Sequence, residues 1–167
     1  MIPFDFAVYK PTSVEEAVQA YQEAVDAASG ESGNADRKVD VRYYSGGTEI
    51  VTLARDGKLE PTALIDTKRV EQTRGISRGN GRLRIGAGTS LTDAVESNAL
   101  PLLSEAAGRI ADRTVRNSIT IGGNIMGMLP YREAVLPFLI FDGDVEIAGP
   151  EGTRTVPIGD VRSEEHT

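Results

Sequence analysis

Residues 43–54 read YYSGGTEIVTLA and residues 119–125 read ITIGGNI. Each stretch sets a glycine pair between a short apolar run and a polar residue. Such a turn can aim several backbone N–H groups at one anion, and the missing Cβ lets a phosphate come within hydrogen-bond distance. After Gly46-Gly47 a helix would point its N-terminus at the same anion. Thr48 and Thr120 could each add a hydroxyl. Glu49 is the awkward neighbour, because its carboxylate repels phosphate unless it turns away or accepts from backbone or a ribose hydroxyl. Neither stretch is a dinucleotide fingerprint or a P-loop: no G-x-G-x-x-G is present, and no Gly-Lys-Ser/Thr follows. The pattern alone leaves two readings open, an anion cradle or a pair of tight turns.

Composition narrows the chemistry further. The chain has 167 residues, 18 of them glycine, and a net charge of −7. Its basic residues are scattered, whereas nucleic-acid binding needs a clustered positive face. There is no cysteine, so the chain offers no disulfide, thiolate nucleophile or iron–sulfur ligand. The single histidine is His166, which leaves no serine–histidine triad or zinc site to build. Any chemistry must come from a cofactor or from carboxylates. No apolar run reaches the roughly 18 residues of a membrane span. The opening MIPFDFAVYK lacks the basic and apolar regions of a signal peptide, so a cytoplasmic location is expected.

The elements that would position the glycine turns can be read from periodicity. Phe4 to Lys10 alternates as a strand does, and Pro11-Thr12-Ser13 opens a helix with Glu15 and Glu16 in its first turn, ending near Ala28. Residues 29–38 read as a loop, Val41–Tyr44 as a strand and Thr48–Arg55 as a helix. This is a small βαβ lobe with a parallel strand pair. Beyond it, Ala63–Asp66 and Leu83–Ala87 read as strands, the latter after the turn Gly79-Asn80-Gly81. Thr89-Ser90 caps a short helix, Pro101 starts another through Ile110, and Ala134–Phe141 is helical around Pro137. Thr120-Ile121 reads as a short strand before the second glycine pair. Val145–Ala148 and Thr153–Pro157 flank Glu151-Gly152, a two-residue hairpin signal.

SGGTEI, IGAGTSL and RNSITIGGNI, with the opening FDFAVYKPTSVEEAV and the late VEIAGPEGTRTVPIGD, together resemble the flavin-binding subunit of the xanthine dehydrogenase and carbon monoxide dehydrogenase family, the molybdenum hydroxylases. The resemblance runs from about residue 3 to residue 160. It implies an α+β, two-lobed FAD-binding fold of the vanillyl-alcohol oxidase and CO dehydrogenase flavoprotein type, with a small βαβ lobe at residues 1–56 and a larger mixed-sheet lobe at 57–161. FAD is the implied cofactor. Tyr43, Tyr44, Ser45, Gly46, Gly47, Thr48, Glu49 and Ile50 would wrap its pyrophosphate from the small lobe; Thr120, Ile121, Gly122, Gly123 and Asn124 would meet it from the larger one. Gly122, Gly123 and Thr120 would donate to phosphate, and Asn124 to phosphate or flavin. Where the family usually carries an aspartate for the ribose side, this chain has Glu133. Tyr43 and Tyr44 either pack near adenine or fill the core, and the core is favoured. In the variant stretch MGMLPYRE, Tyr131 and Arg132 would lie near the cofactor. Arg116 either supports its loop or is an ordinary surface residue.

By the same resemblance the chain is an oxidoreductase component without a catalytic residue of its own. A molybdenum-cofactor large subunit oxidises the substrate, an iron–sulfur small subunit relays electrons, and FAD passes them to NAD or another acceptor. Two alternatives stand beside it: a stand-alone FAD oxidoreductase of the same superfamily, and a non-catalytic nucleotide-binding assembly module. The family continues past the position of Asp160-Val161 into a C-terminal domain, so the chain reads as truncated there. The ending RSEEHT departs from the family and, back-translated, spells a common sequencing adapter; residues 162–167 are expected to be a non-native tail.

Overall fold

The computed structural model describes residues 4–30, 38–128 and 132–161. Two compact units divide the chain, Met1–Gln72 and Thr73–Thr167.

The first unit is built on a three-stranded parallel sheet. Strand β1 (Ala7–Tyr9) leads to helix α1 (Val14–Gly30), then strand β2 (Val41–Tyr44), helix α2 (Thr48–Arg55) and strand β3 (Ala63–Asp66). The strand order is β1-β3-β2, with Ala63 level with both Ala7 and Val41. β3 is central, and Ala63, Leu64 and Ile65 are all buried, the continuous apolar run expected of a strand covered on both faces. The chain after α2 returns to fill the middle of the sheet, and the first compact unit runs to Gln72, past the expected division after residue 56.

Helix α1 buries Ala17 and Ala24 and packs Val14, Ala20, Tyr21 and Val25 against that sheet. Its start is a capping box. Ser13 Oγ accepts from the Glu16 N–H at 3.1 Å, and the Glu16 carboxylate accepts from Thr12 N–H at 2.7 Å and the Thr12 hydroxyl at 2.8 Å. These bonds from Thr12 hold the Glu16 carboxyl below its ordinary range. The helix runs on to Gly30, past the expected end at Ala28; residues 31–37 of the expected loop lie outside the described residues.

The second unit combines antiparallel hairpins with short helices. β4 (Ile76–Gly79) and β5 (Arg82–Ile85) join through Asn80-Gly81, both at positive φ (50° and 73°), the geometry of the tightest hairpin turn. Helices α3 (Leu91–Ser97), α4 (Pro101–Gly108), α5 (Arg113–Arg116), α6 (Ile121–Met126) and α7 (Val135–Ile140) follow, then the hairpin β6 (Asp144–Gly149) and β7 (Gly152–Pro157). Its two-residue loop is Pro150-Glu151, one position earlier than the sequence suggests, because Gly149 pairs with Gly152. Leu91, Ala94, Leu103, Ala107, Ile121 and Ala134 form the core.

The expected strand at Thr120-Ile121 is absent. Thr120 makes one isolated bridge to Ser90, and Ile121 already belongs to α6. The tail at 162–167 and Tyr131 lie outside the described residues.

Candidate cofactor site at two glycine turns

The first turn belongs to the first unit. β2 ends at Tyr44, and Gly47 caps α2 in the left-handed region at φ 71°. No side chain caps this helix. The first helical hydrogen bond runs from Val51 N–H to Gly47 carbonyl at 2.9 Å, so the N–H groups at the start of α2 have no acceptor within the helix. The φ of 71° demands glycine at position 47, and the outer end of the Tyr44 ring lies where a Cβ would go, so a side chain there would also have to displace the ring.

Tyr43 and Tyr44 part company here. Tyr43 stacks on Tyr21 of α1, with ring centroids 5.1 Å apart and planes at 17°, and is 47% exposed. Burial, with Tyr21 beside it, raises its hydroxyl pKa. It is a boundary residue, not the core residue favoured from sequence. Tyr44 turns to the glycine loop instead. Its ring lies against Gly47, its carbonyl accepts from the Thr67 hydroxyl at 3.4 Å, and the Lys68 ammonium sits 4.2 Å from its ring centroid. Glu49 occupies the first turn of α2, where a carboxylate complements the helix dipole.

The second turn belongs to the second unit and is built differently. Thr120 is the N-cap of α6, and its Oγ1 accepts from Gly123 N–H at 3.1 Å. Ile121 N–H donates to Thr89 carbonyl at 2.9 Å, Gly122 N–H to Ala87 carbonyl at 2.7 Å and Asn124 N–H to Thr120 carbonyl at 2.8 Å. A Cβ on Gly122 would stand 2.9 Å from the Ala87 Cβ, and one on Gly123 would stand 2.9 Å from Thr120 Oγ1. Close packing and capping both use glycine here, and the Gly122 and Gly123 N–H groups have acceptors within the protein at the Ala87 carbonyl and Thr120 Oγ1. Asn124 also has a structural task, its Oδ1 accepting from Ala134 N–H at 3.2 Å where α7 begins.

The platform beneath this turn is the IGAGTSL stretch, whose role sequence reasoning left unassigned. Gly86 lies where a Cβ would run into the Thr73 backbone, Gly88 N–H donates to Thr73 carbonyl at 2.6 Å, and the Thr89 hydroxyl donates to Gly75 carbonyl at 3.0 Å. The loop is thereby held fixed, and the Ala87 and Thr89 carbonyls face α6. Ser90 then caps α3 by accepting from Asp93 N–H at 3.0 Å. Arg116 serves its own loop: Nη1 donates to the carbonyls of Gly108, Ile110 and Ala111 at 3.2, 3.0 and 2.7 Å.

Glu133 lies beside the second turn, next to Ala134, which donates to Asn124, and it shares a pocket with Ile125 of α6. Its Oε2 is buried and has no hydrogen-bond partner among the described residues. It lines a pocket of about 390 Å³ with apolar walls from Ile125, Val135, Leu136 and Ile158, and with Arg132 beside it. A buried carboxylate oxygen without a donor is costly, and a ligand hydroxyl or amine would satisfy it. Among the described residues no cluster of three or more His, Cys, Asp or Glu could hold a metal, and no helix is long and apolar enough to cross a membrane.

In the first unit, an uncapped helix start behind a left-handed glycine suits an anionic group such as a phosphate. In the second unit, a buried carboxylate oxygen facing an apolar pocket suits a hydroxyl or amine donor. Comparison with known proteins names the class. Residues 4–166 match the family described as the FAD binding domain in molybdopterin dehydrogenase. The chain is 35% identical over 161 residues to the carbon monoxide dehydrogenase medium chain of Hydrogenophaga pseudoflava, covering 94% of this chain and 52% of that one. It is 34% identical over 122 residues to the xanthine dehydrogenase FAD-binding subunit of Escherichia coli O157:H7, covering 70% and 42%. The solved carbon monoxide dehydrogenase from Hydrogenophaga pseudoflava superposes with a TM-score of 0.82 at 32% identity, over 95% of this chain and 52% of that one. The chain belongs to the FAD-binding domain family of molybdopterin dehydrogenases, and FAD is the cofactor of that family. It spans about half the length of these relatives.

Proposed function

We propose that this chain is the FAD-binding part of a molybdenum hydroxylase. It would work with a large subunit that holds the molybdenum cofactor and oxidises the substrate, and a small subunit that carries iron–sulfur clusters. Bound FAD supplies the ability to accept electrons from the clusters and pass them to NAD or another acceptor. The observation that carries this reading is the start of α2: a left-handed glycine, no side-chain cap, and N–H groups without a helical acceptor. Those groups suit a pyrophosphate, and oriented N–H donors at a helix start bind such anions well.

Within this reading Gly46, Gly47, Thr48 and Ile50 donate to the pyrophosphate, and Ser45 shapes the loop. Tyr44 holds the turn open from behind by filling the space a side chain would need. Glu133 accepts from a hydroxyl of the adenosine side. Thr120, Ile121, Gly122, Gly123 and Asn124 act as scaffold, fixing the backbone that faces the cofactor. The chain has no cysteine for a cluster of its own, which suits a division of labour in which clusters belong to a partner.

The test is a titration of the purified chain with FAD, followed by flavin fluorescence, with FMN and riboflavin as controls. FAD binding that FMN cannot match supports recognition of the pyrophosphate and adenosine. Equal affinity for all three flavins would overturn the assignment of the first glycine turn. Turnover of a small organic substrate by the isolated chain would favour a stand-alone oxidoreductase.

A further inference from the structure

We propose that Lys68 is a cofactor-binding residue, its ammonium offsetting the negative charge of the FAD pyrophosphate from its seat on the Tyr44 ring. The proposal rests on the FAD reading above and adds to it a residue that no glycine motif contains.

Lys68 lies in a single 3-10 turn, Thr67–Arg69, that follows β3. That turn is fastened on several sides. Asp66 accepts from the Lys68 N–H at 3.1 Å, the Thr67 hydroxyl donates to Tyr44 carbonyl at 3.4 Å, and Val70 N–H donates to Thr67 carbonyl at 3.0 Å. Val70 itself is fully buried in the sheet–helix core. The position of Lys68 is therefore set by the pairing of β3 with β2, which brings Asp66 level with Tyr44. From this anchor the ammonium reaches over the Tyr44 ring at 4.2 Å from its centroid, and it meets Asp66 Oδ1 at 2.8 Å. The same ring presses on Gly47. One aromatic ring thus joins the lysine to the turn at the start of α2.

Charge gives the arrangement its meaning. Glu49 already places a carboxylate in the first turn of α2, and a pyrophosphate there brings further negative charge. Arg42 is tied to Asp40 at the other end of β2, Lys58 pairs with Asp56 beyond the far end of α2, and Arg55 sits in the last turn of that helix. Lys68 is the cation whose described geometry places it at the glycine turn. Its ion pair with Asp66 does not prevent this, because an ammonium has three donors and can keep one on Asp66 while turning others to a phosphate.

The test compares FAD affinity of the parent chain with Lys68→Met, Lys68→Arg and Arg69→Met at low and high salt, with riboflavin as the phosphate-free control. Lys68→Met should weaken FAD binding by about tenfold at low salt, the scale of one nearby charge in a wet site. The loss should shrink as salt rises. Lys68→Arg should keep most of the affinity, Arg69→Met should change little, and riboflavin affinity should not move. The thermal midpoint checks folding, and Lys68→Gln replaces the methionine variant where that one does not fold. Parent-like FAD affinity in Lys68→Met, or an equal loss in Arg69→Met, overturns the proposal while leaving the FAD reading in place. Failure of the parent chain to bind FAD overturns the FAD reading and this proposal with it.

Discussion

Two glycine pairs of similar sequence are built in opposite ways. At Gly46-Gly47 the backbone turns left-handed, no side chain caps the following helix, and its first N–H groups have no helical acceptor. At Gly122-Gly123 the glycines already lie inside a helix, its N-cap is Thr120, and each N–H has a protein acceptor. A glycine pair thus does not by itself fix how its N–H groups are used. What separates the two is the residue in front: a tyrosine whose ring fills the space behind the turn, or a threonine whose hydroxyl closes it.

The comparison can be broken by substitution. The largest effect is expected at Gly47. Gly47→Ala takes a left-handed φ of 71° and needs the outer end of the Tyr44 ring to swing aside, and should cost about 2 kcal/mol or more, chiefly from left-handed strain. Adding Tyr44→Ala should recover the packing part and leave only the backbone strain. Denaturant unfolding of the single and double variants checks this; a double variant no more stable than Gly47→Ala would remove the ring from the account. Gly122→Ala should cost less, about 1–3 kcal/mol, because it strains the Ala87 contact without a forbidden φ.

Next comes Thr120→Val, which removes the hydroxyl that accepts from Gly123 and should lower stability by about 1 kcal/mol. If the second turn is scaffold, FAD affinity should fall only as far as the fold loosens. A large affinity loss with an unchanged thermal midpoint would restore Thr120 as a direct ligand. Glu133→Leu should behave in the reverse sense. Replacing a carboxylate whose buried Oε2 has no hydrogen-bond partner among the described residues should leave stability unchanged or raise it, while FAD affinity falls several-fold. Paired thermal and binding measurements would separate these two effects.

The smallest effect concerns the first helix. The Glu16 carboxyl is held below its ordinary range by the bonds from Thr12. A depressed carboxyl lends stability above its unfolded pKa, and that share is lost as pH falls through the lowered folded value. Glu16→Gln should therefore flatten the acid limb of the stability–pH curve slightly and change nothing near neutrality beyond the lost capping bonds. An acid limb identical to the parent's would show that the capping box contributes nothing through charge.

Much of the first unit was legible in the sequence. Thr48–Arg55 and Ala63–Asp66 announce themselves, one by a glycine start and helical period, the other by an unbroken apolar run. The unit boundary was not legible, because β1, α1, β2 and α2 already look complete; only the sheet order shows that β3 belongs between the first two strands. β4 escaped notice since Ile76-Ser77-Arg78-Gly79 has a single apolar residue, and its strand form comes from the Asn80-Gly81 turn and from β5. Thr120-Ile121 looked like a strand because β-branched residues before two glycines favour one locally. Tertiary contacts decide otherwise, with Thr89 and Ala87 carbonyls taking the donors of a helix start. The resemblance supplied the cofactor, and the hydrogen bonds show how the two glycine turns differ in construction.

The central position of β3 also carries a consequence for how the first unit is made. Among the described residues β1 and β2 are not neighbours in the sheet; each pairs with β3. When the chain is synthesised from its N-terminus, neither early strand has a partner until residues 63–66 appear. The sheet must then form by contacts that are distant in sequence, which slows folding. Among the elements of this unit, helix α1, with its local capping bonds, needs no strand pairing to form. Assembly of the first glycine turn is accordingly a late step, tied to the arrival of the strand that also carries Asp66 and sets the position of Lys68.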